Sequence, residues 1–317
     1  MAGRSNVVIR PDVSAHTDVA ARAVRPATAA DLPSIGLVGH AAIDAGDFPD
    51  ATHHDMERTL ASLAAEPESA YVAIEDGQVV GYLAPRLNDL CVGAAHRRRG
   101  HASALVEAAL PYVRDVLGHP YLLLYVPPGT SPGRRFAEAR GFSYRASLYW
   151  MERPAADACP ESDLPTGFVS RAWDPERDVI PTFVELLNAA FADHPTPVSW
   201  TEPVIRAANE APEFDPRDIL LVAPVEDPER VVAFCRARLY PDDRPPYGEV
   251  KLIGVLPPWR GRGLGRALLR WGVRHLQGRD VPTIALAVSA ANEHALRMYE
   301  AHGFRRAVEW PQWSRDA

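Results

Sequence analysis

The chain has 317 residues, of which 47% are hydrophobic and 24% are charged, and this size and composition predict about two globular domains. Its formal net charge of −7 argues against a nucleic-acid-binding protein, because neutralising phosphates usually needs a basic surface. The three cysteines are widely spaced and form no CxxC pattern, which predicts free thiols and no metal site. The chain has no apolar run of membrane-spanning length and no signal-peptide core in its first twenty residues, which predicts a cytoplasmic protein without a membrane partner.

The first half opens with signals for a strand, a helix and a hairpin. Residues 23–35 predict a short strand followed by a helix capped by Thr28 or a residue near it, with Asp31 in its first turn. Residues 71–84 predict a hairpin, because two apolar runs are joined by Asp76-Gly77, a dipeptide typical of tight turns.

A linker separates the two halves. Residues 151–167 are rich in proline, alanine and acidic side chains and lack apolar periodicity. We therefore predict an N-terminal domain over 22–152, a linker over 153–166 and a C-terminal domain over 167–317.

The second half repeats the same kinds of element. Residues 218–240 predict a hairpin with a longer turn, and 249–255 predict the strand that follows it. A helix over 267–276, a buried strand over 283–288 and a short helix ended by Gly303 complete the order. This order predicts an α/β fold in each half, with a mixed, mainly antiparallel sheet flanked by helices.

Two glycine landmarks show that the halves are copies of one unit. Gly100 matches Gly263 at an offset of 163 residues, and Gly141 matches Gly303 at an offset of 162. Agreement within one residue across some forty positions indicates an internal duplication.

A glycine-rich turn in the second half carries the clearest chemical signal. Residues 260–265, Arg-Gly-Arg-Gly-Leu-Gly, follow a strand and open a helix. Glycines there let backbone N–H groups approach an anion, and the helix N-terminus and the arginines add positive charge. The pattern indicates a pyrophosphate-binding turn, with a plain tight turn as the alternative. It has no Walker A sequence, and it follows an antiparallel meander rather than the first strand of a Rossmann unit.

The turn resembles the acetyl-CoA signature of the GNAT N-acetyltransferase family, Q/R-x-x-G-x-G/A after the fourth strand. Arg260, Gly263 and Gly265 occupy its defined positions. The companion signature is a strand, an Asn, a Tyr seven residues later and then Gly-Phe, and Asn292, Tyr299 and Gly303-Phe304 match it. In the first half, Arg97, Gly100 and Ala102 match the turn signature, and Gly141-Phe142 match the Gly-Phe pair that ends the companion signature.

This resemblance implies two tandem GNAT folds and acetyl-CoA as the cofactor. The residues that it implies for acetyl-CoA binding in the second half are Val255, Leu256, Arg260, Gly261, Arg262, Gly263, Leu264, Gly265, Arg266 and Asn292. Those that it implies in the first half are Val92, Arg97, Arg98, Arg99, Gly100, His101 and Ala102.

Most of the second half is also similar to the C-terminal domain of the mycothiol synthases, a family of tandem GNAT proteins that acetylate the cysteinyl amine of a pseudo-disaccharide thiol precursor. The similarity implies that Glu249 is the general base and Tyr299 the general acid, with the oxyanion held by a backbone N–H of Val255 or Leu256. His194 and Lys251 are the candidate substrate-binding residues. The cofactor side matches better than the substrate side, so the acceptor amine stays open at this point.

The first half lacks the catalytic side chains. Ala137 stands at the position of Tyr299, and Thr130 stands at the position of Asn292. We therefore predict a non-catalytic first domain and leave open whether it binds acetyl-CoA. The favoured hypothesis is an enzyme that acetylates a small-molecule primary amine such as an antibiotic, polyamine or amino sugar. The alternatives are mycothiol synthase activity proper and a non-catalytic acyl-CoA-binding or sensing protein. We expect a monomer, because the tandem domains form an internal pseudo-dimer.

Overall fold

The protein is described here from a computed structural model. The structure describes residues 22–47, 53–126, 131–161, 163–194, 199–211, 214–243 and 245–317. Thr130, one of the positions compared above, lies outside these residues.

Twelve strands and eight α-helices are present in the described part of the chain. The strands are Arg22–Pro26 (β1), Tyr71–Glu75 (β2), Gln78–Ala84 (β3), Asp89–Val92 (β4), Tyr121–Tyr125 (β5), Ser143–Pro154 (β6), Phe168–Ala172 (β7), Ile219–Pro224 (β8), Ala233–Tyr240 (β9), Tyr247–Val255 (β10), Thr283–Ser289 (β11) and Arg305–Asp316 (β12). The helices are Leu32–Asp44 (α1), His53–Ala65 (α2), His101–Pro111 (α3), Pro132–Ala139 (α4), Ile180–Ala190 (α5), Glu202–Glu210 (α6), Leu264–Gln277 (α7) and Glu293–Glu300 (α8).

The local signals of the sequence are confirmed. Asp31 accepts hydrogen bonds from the Thr28 backbone N–H and hydroxyl, which caps the turn that leads into α1. Asp76 and Gly77 both have positive φ, as a tight β2–β3 turn requires. The longer hairpin of the second half is β8–β9.

The strands form two mainly antiparallel sheets. One has four strands in the order β1-β2-β3-β4, and the other has eight in the order β5-β12-β6-β11-β10-β9-β8-β7. Among the described strands only β10 and β11 pair in parallel, because α7 provides the crossover that parallel neighbours need. The α/β class with a mixed, mainly antiparallel arrangement is confirmed.

The last strands of the two halves are exchanged. β6, from the first half, pairs with β11 of the second half, and β12, from the second half, pairs with β5 of the first. β6 and β12 also pair with each other, which joins the halves in one continuous sheet. This exchange could not be predicted from the sequence, because strand pairing depends on contacts between residues far apart in the chain.

The buried side chains follow the exchange. Met151 of β6 is fully buried in the core that α7 covers in the second half. Trp313 of β12 lies in the core that α3 covers in the first half, beside Leu122 and Phe142. Each half therefore depends on one strand of the other for its core.

The predicted linker contains no helix or strand after Pro154 among its described residues, yet its start is held in place. The buried Arg153 donates to the carbonyls of Asp157, Ala158 and His302. Gln277 at the end of α7 donates to the carbonyls of Ala155 and Asp157. The start of this segment is thus attached to the second half.

None of the helices in the described residues is long and apolar enough to cross a membrane.

Candidate active site

The glycine-rich turn connects β10 to α7 and presents bare backbone to solvent. Gly261 and Gly263 have φ of +76° and +85°, a left-handed backbone that other residues adopt at a cost. A Cβ on Gly265 would meet no atom within 4 Å. Gly263 is the N-cap of α7, so the first N–H groups of the helix have no intrahelical acceptor. The turn therefore leaves room for an anion at a positive helix end.

A cavity of about 1460 Å³ lies along this turn, large enough for an extended cofactor. Among its lining residues are nine of the predicted site residues, namely His194, Val255, Arg260, Gly261, Gly263, Leu264, Gly265, Arg266 and Asn292. Leu256, Arg262, Glu249, Lys251 and Tyr299 do not line it, although Met298 and Ala301, close to Tyr299 on or just after α8, do. The guanidinium of Arg262 lies over the Trp259 ring instead.

Arg260 attaches the turn to the segment that follows α5. Its Nε donates to the carbonyl of Val255, and its two Nη atoms donate to the carboxylate of Asp193, at 2.5 and 2.8 Å. Arg97 repeats this pattern in the first half, where it donates to the carbonyl of Val92 and the carboxylate of Asp47. Both guanidinium groups are thus engaged with a carboxylate, and the backbone of the turn is the group left open to an anion.

Glu249 lies inside the sheet, only 2% exposed, on the β10 face opposite α7. The Tyr240 hydroxyl donates to its Oε2 at 2.8 Å, and Lys251 Nζ donates to its Oε1 at 3.2 Å. A bulge at Lys251 brings this lysine beside Glu249. Burial, followed by the Glu249 charge, raises the pKa of Tyr240 well above its ordinary value, so its hydroxyl remains a donor.

Aromatic rings surround Glu249 on this face and come from both halves. Tyr240 and Tyr247 stack with ring centres 4.5 Å apart, and Trp150 of β6 meets Tyr247 edge-on at 5.7 Å. Trp310 of β12 contacts Trp150 at 6.0 Å, and the guanidinium of Arg58 from α2 lies 4.8 Å from the centre of the Tyr240 ring. Sequence reasoning did not find these residues, because the sheet assembles them from strands that are distant in the chain.

A second carboxylate shares the face. Ala285 of β11 pairs with Glu249 on one side and with Glu152 of β6 on the other. The Trp150 Nε1 donates to Glu152 at 2.9 Å. Two acidic side chains therefore lie across one strand from each other, near the aromatic rings.

Tyr299 lies on α8 and is packed against the core of the second half, with the Phe304 ring edge-on at 6.1 Å. No hydrogen-bond partner for its hydroxyl is found in the described residues, which leaves that hydroxyl free to donate to a ligand. Burial, followed by the nearby Cys235 thiol, raises the pKa of Tyr299 above its ordinary value. The Asn292 side chain accepts from the Ala295 N–H and so caps α8.

β10 and β11 diverge beyond Glu249, where their parallel pairing ends. The Leu256 N–H donates to the Val232 carbonyl at 2.9 Å and is therefore occupied in the sheet. Because successive residues of a strand direct their N–H groups to opposite edges, the Val255 N–H points into the gap left by β11. Of the two backbone N–H groups considered from the sequence, the Val255 N–H is the one that faces the gap and could donate to a ligand.

The first-half turn has the same backbone and different side chains. Gly100 has φ of +91° and is the N-cap of α3, and Arg98 has a positive φ of 64° where the second half has Gly261. His101 at the start of α3 is buried, and Arg99 Nη1 donates to Glu75 at 3.1 Å. Val92 ends β4, and Ala102 lies in the first turn of α3. Ala137, at the position of Tyr299, is fully buried and carries no hydroxyl.

Comparison with known proteins gives two matched regions in this chain. The model of the acetyltransferase (GNAT) family matches residues 41–142 and again residues 181–304. A mycothiol acetyltransferase from Thermomonospora curvata is 34% identical over 270 residues, covering 81% of this chain and 87% of the relative. A mycothiol acetyltransferase from Kineococcus radiotolerans is 36% identical over 255 residues, covering 76% of this chain and 79% of that protein.

Solved structures share the fold. A GCN5-related N-acetyltransferase from Sphaerobacter thermophilus aligns with a TM-score of 0.58 at 23% identity, covering 93% of this chain and 95% of that one. A tandem GNAT protein from the clavulanic acid biosynthesis pathway aligns with the same TM-score at 21% identity, covering 93% of this chain and 98% of its own.

Proposed function

This chain belongs to the acetyltransferase (GNAT) family and is an acetyl-CoA-dependent N-acetyltransferase, and from that premise we propose the residues that bind and react and the amine that accepts the acetyl group. Acetyl-CoA, when bound, supplies an activated acetyl thioester. The second half is the catalytic domain in this proposal, and the buried, doubly hydrogen-bonded Glu249 is the observation that carries it.

The turn 260–265 holds the pyrophosphate of acetyl-CoA. Its open glycine backbone and the free N–H groups of α7 support this role, and the cavity along the turn provides the space. Arg260 contributes by fixing the turn through Asp193, while Arg262 and Arg266 add positive charge. Asn292 keeps the start of α8 beside the same cavity.

Glu249 accepts the proton that the acceptor ammonium must lose before it can attack. The Tyr240 hydroxyl and the Lys251 ammonium hold its carboxylate in one orientation. Because Glu249 is buried, a water molecule relays the proton from the amine to the carboxylate. The Lys251 side chain is 45% exposed, so in this proposal it also contacts the acceptor beside this carboxylate.

Val255 and Tyr299 act on the thioester. The Val255 N–H, which faces the gap between β10 and β11, would donate to the thioester carbonyl oxygen of bound acetyl-CoA. The Tyr299 hydroxyl donates its proton to the departing sulfur, and its raised pKa keeps that proton in place until transfer. In the first half Ala137 has no proton to give, so that half performs no turnover.

The acceptor that we propose is the cysteinyl amine of the mycothiol precursor. The names of relatives that are 31–36% identical over most of the chain support it. The aromatic face around Glu249 also supports it, because such rings pack against the faces of sugar and cyclitol rings. His194, which lines the cavity, belongs to the acceptor side in this proposal.

The domain boundaries 22–152 and 167–317 and the monomeric state remain part of this proposal. The exchanged strands support a monomer, because β6 and β12 are each paired on both sides within one chain and leave no edge for a second chain. The net charge of −7 supports a small-molecule acceptor rather than a nucleic acid.

A CoA-release assay over a panel of amines, including the mycothiol precursor, tests the proposal. We expect Glu249→Gln to lower kcat about 10²–10⁴-fold at neutral pH. Raising the pH should restore part of this loss, because alkaline solution deprotonates the amine without a base. The matched control is Glu152→Gln, the same change one strand beyond Ala285, which should keep kcat within a few-fold. Equal losses in both variants would exclude Glu249 as the base.

A further inference from the structure

Three metal-ligating side chains meet beside the first-half turn. Glu75 ends β2, His96 precedes the turn and His101 is the first residue of α3. Nδ1 of His96 lies 2.6 Å and Nε2 of His101 lies 3.5 Å from Oε2 of Glu75. One ligand atom from each of the three residues lies within 4.8 Å of the others. Tetrahedral zinc with ligand distances of about 2.0–2.2 Å separates its ligands by roughly 3.3 Å, so small side-chain movements bring these three atoms into position.

The internal duplication shows that this cluster replaces an apolar one. At the offset of 163 residues, His96 matches Trp259 and His101 matches Leu264. Glu75 and Pro224 are the final residues of the matching strands β2 and β8. In the second half these positions form apolar packing, with Leu264 buried and Trp259 against Phe168 at 5.7 Å. All three positions therefore differ between the halves: the second half has side chains that cannot bind a metal, and the first half has side chains that can.

The burial of His101 points to a ligand. Its side chain is only 3% exposed, and its buried Nε2 lies 3.5 Å from Glu75 Oε2 without meeting hydrogen-bond geometry with any described residue. A buried polar nitrogen without a partner costs free energy that an apolar residue at this position, as in the second half, avoids. That nitrogen faces the Glu75 carboxylate, in the direction that a shared metal ion would occupy.

The surroundings suit a metal as well. His96 is about one-third exposed and provides a path from solvent. Arg99 Nη1 donates to the same Glu75 oxygen at 3.1 Å. A carboxylate oxygen has more than one lone pair, so this bond can persist and orient a metal-binding carboxylate.

We propose that Glu75, His96 and His101 form a binding site for a divalent transition-metal ion such as Zn²⁺, in the first half and separate from the acetyl-transfer site. Two imidazoles and one carboxylate are a donor set that zinc accepts, with water as the fourth ligand. The ion would fasten the end of β2 to the start of α3. Binding through His96 Nδ1 replaces the 2.6 Å contact between His96 and Glu75 with two metal–ligand bonds.

Titration of the tag-free, chelator-stripped full chain with ZnCl₂ in a calorimeter tests this site. We expect one Zn²⁺ per chain with a Kd tighter than about 10 μM, and a rise in Tm when Zn²⁺ is added. His101→Leu installs the residue that the second half carries at this position, so it should fold while weakening Zn²⁺ at least about 100-fold. His96→Ala changes a partly exposed residue and should weaken Zn²⁺ similarly.

The matched control is His40→Ala, which removes a histidine 3.3 Å from Glu57 in the same half. It should leave the Zn²⁺ stoichiometry and affinity unchanged. The proposal is overturned if the wild-type chain binds no Zn²⁺ tighter than about 100 μM, or if affinity is unchanged in both His101→Leu and His96→Ala. Because the readout is metal binding and Tm, failure here leaves the acetyltransferase proposal unaffected.

Discussion

At the scale of single residues, the two proposed catalytic groups owe their properties to their surroundings. Glu249 is one of many strand carboxylates in the sequence, and only its burial with Tyr240 and Lys251 distinguishes it. Tyr299 is distinguished by a partly buried ring packed on the second-half core and by a hydroxyl without a hydrogen-bond partner among the described residues. The sequence indicated both positions through family spacing, but it gave no sign of Tyr240, because nothing in the chain shows that β9 places its ring on Glu249.

The raised pKa of Tyr299 leads to a prediction about pH. Burial stabilises the neutral phenol, so the acid form persists above its ordinary pKa of about 10. The wild-type rate should therefore show no loss attributable to this group up to about pH 10. Tyr299→Phe should lower kcat about 10²–10⁴-fold across the range, with little change in acetyl-CoA affinity.

A pH–rate profile of both proteins, with calorimetry of CoA binding, checks this prediction. A Phe variant within a few-fold of wild type would remove Tyr299 from the acid role. A variant whose CoA affinity falls as much as its rate would assign the residue to packing instead.

At the scale of elements, the two glycine turns share one backbone motif, and we propose different functions for them. Gly263 and Gly100 share a left-handed conformation and the N-cap position of a helix. The sequence predicted both turns, since positive φ favours glycine wherever it occurs. It did not predict that Arg260 and Arg97 would each bind an aspartate from the preceding helix–loop segment, because those pairs span 67 and 50 residues.

The matched turns provide a controlled comparison. Gly263→Asp places a carboxylate where we propose that the pyrophosphate binds, so it should raise the Kd of CoA at least about 100-fold. The positive φ at this position should also lower the free energy of unfolding by about 1 kcal/mol in this variant. Gly100→Asp imposes the same backbone strain in the first half and should leave kcat nearly unchanged. Circular dichroism first checks that both variants fold. Calorimetric titration then measures the Kd of CoA, and steady-state kinetics measures kcat, for both variants. An equal loss of kcat in the two variants would contradict the division of labour between the halves.

At the scale of the whole molecule, the exchanged strands make each half depend on the other. Trp313, near the C-terminal end of the chain, is 9% exposed in the first-half core, and Met151 is fully buried in the second-half core. Large-to-small changes at such positions cost about 2–5 kcal/mol, through lost burial and the cavity left behind. The chain should therefore unfold as one cooperative unit rather than as two independent domains.

Hydrogen exchange on two variants tests this coupling. Trp313→Ala should speed amide exchange mainly in β5 and α3, more than a hundred residues earlier in the chain. Met151→Ala should do so mainly in β11 and α7, on the other side of the linker. If each variant loosened only its own half of the sequence, the strand exchange would be wrong.

The sequence by itself determined the local structure and the chemistry of the cofactor turn. Capping at Thr28, the Asp76-Gly77 turn and the two glycine turns depend on neighbouring residues and backbone sterics, so they can be deduced without a fold. The tertiary structure alone decided which strands pair, what surrounds Glu249 and which N–H faces the gap beside β10. Those features depend on the burial of strands that are far apart in the sequence. The two halves carry similar apolar strands, and each could pair with the strands of either half. Only the packing of the whole chain selects the exchanged arrangement, and that arrangement brings Trp150 and Trp310 to the site.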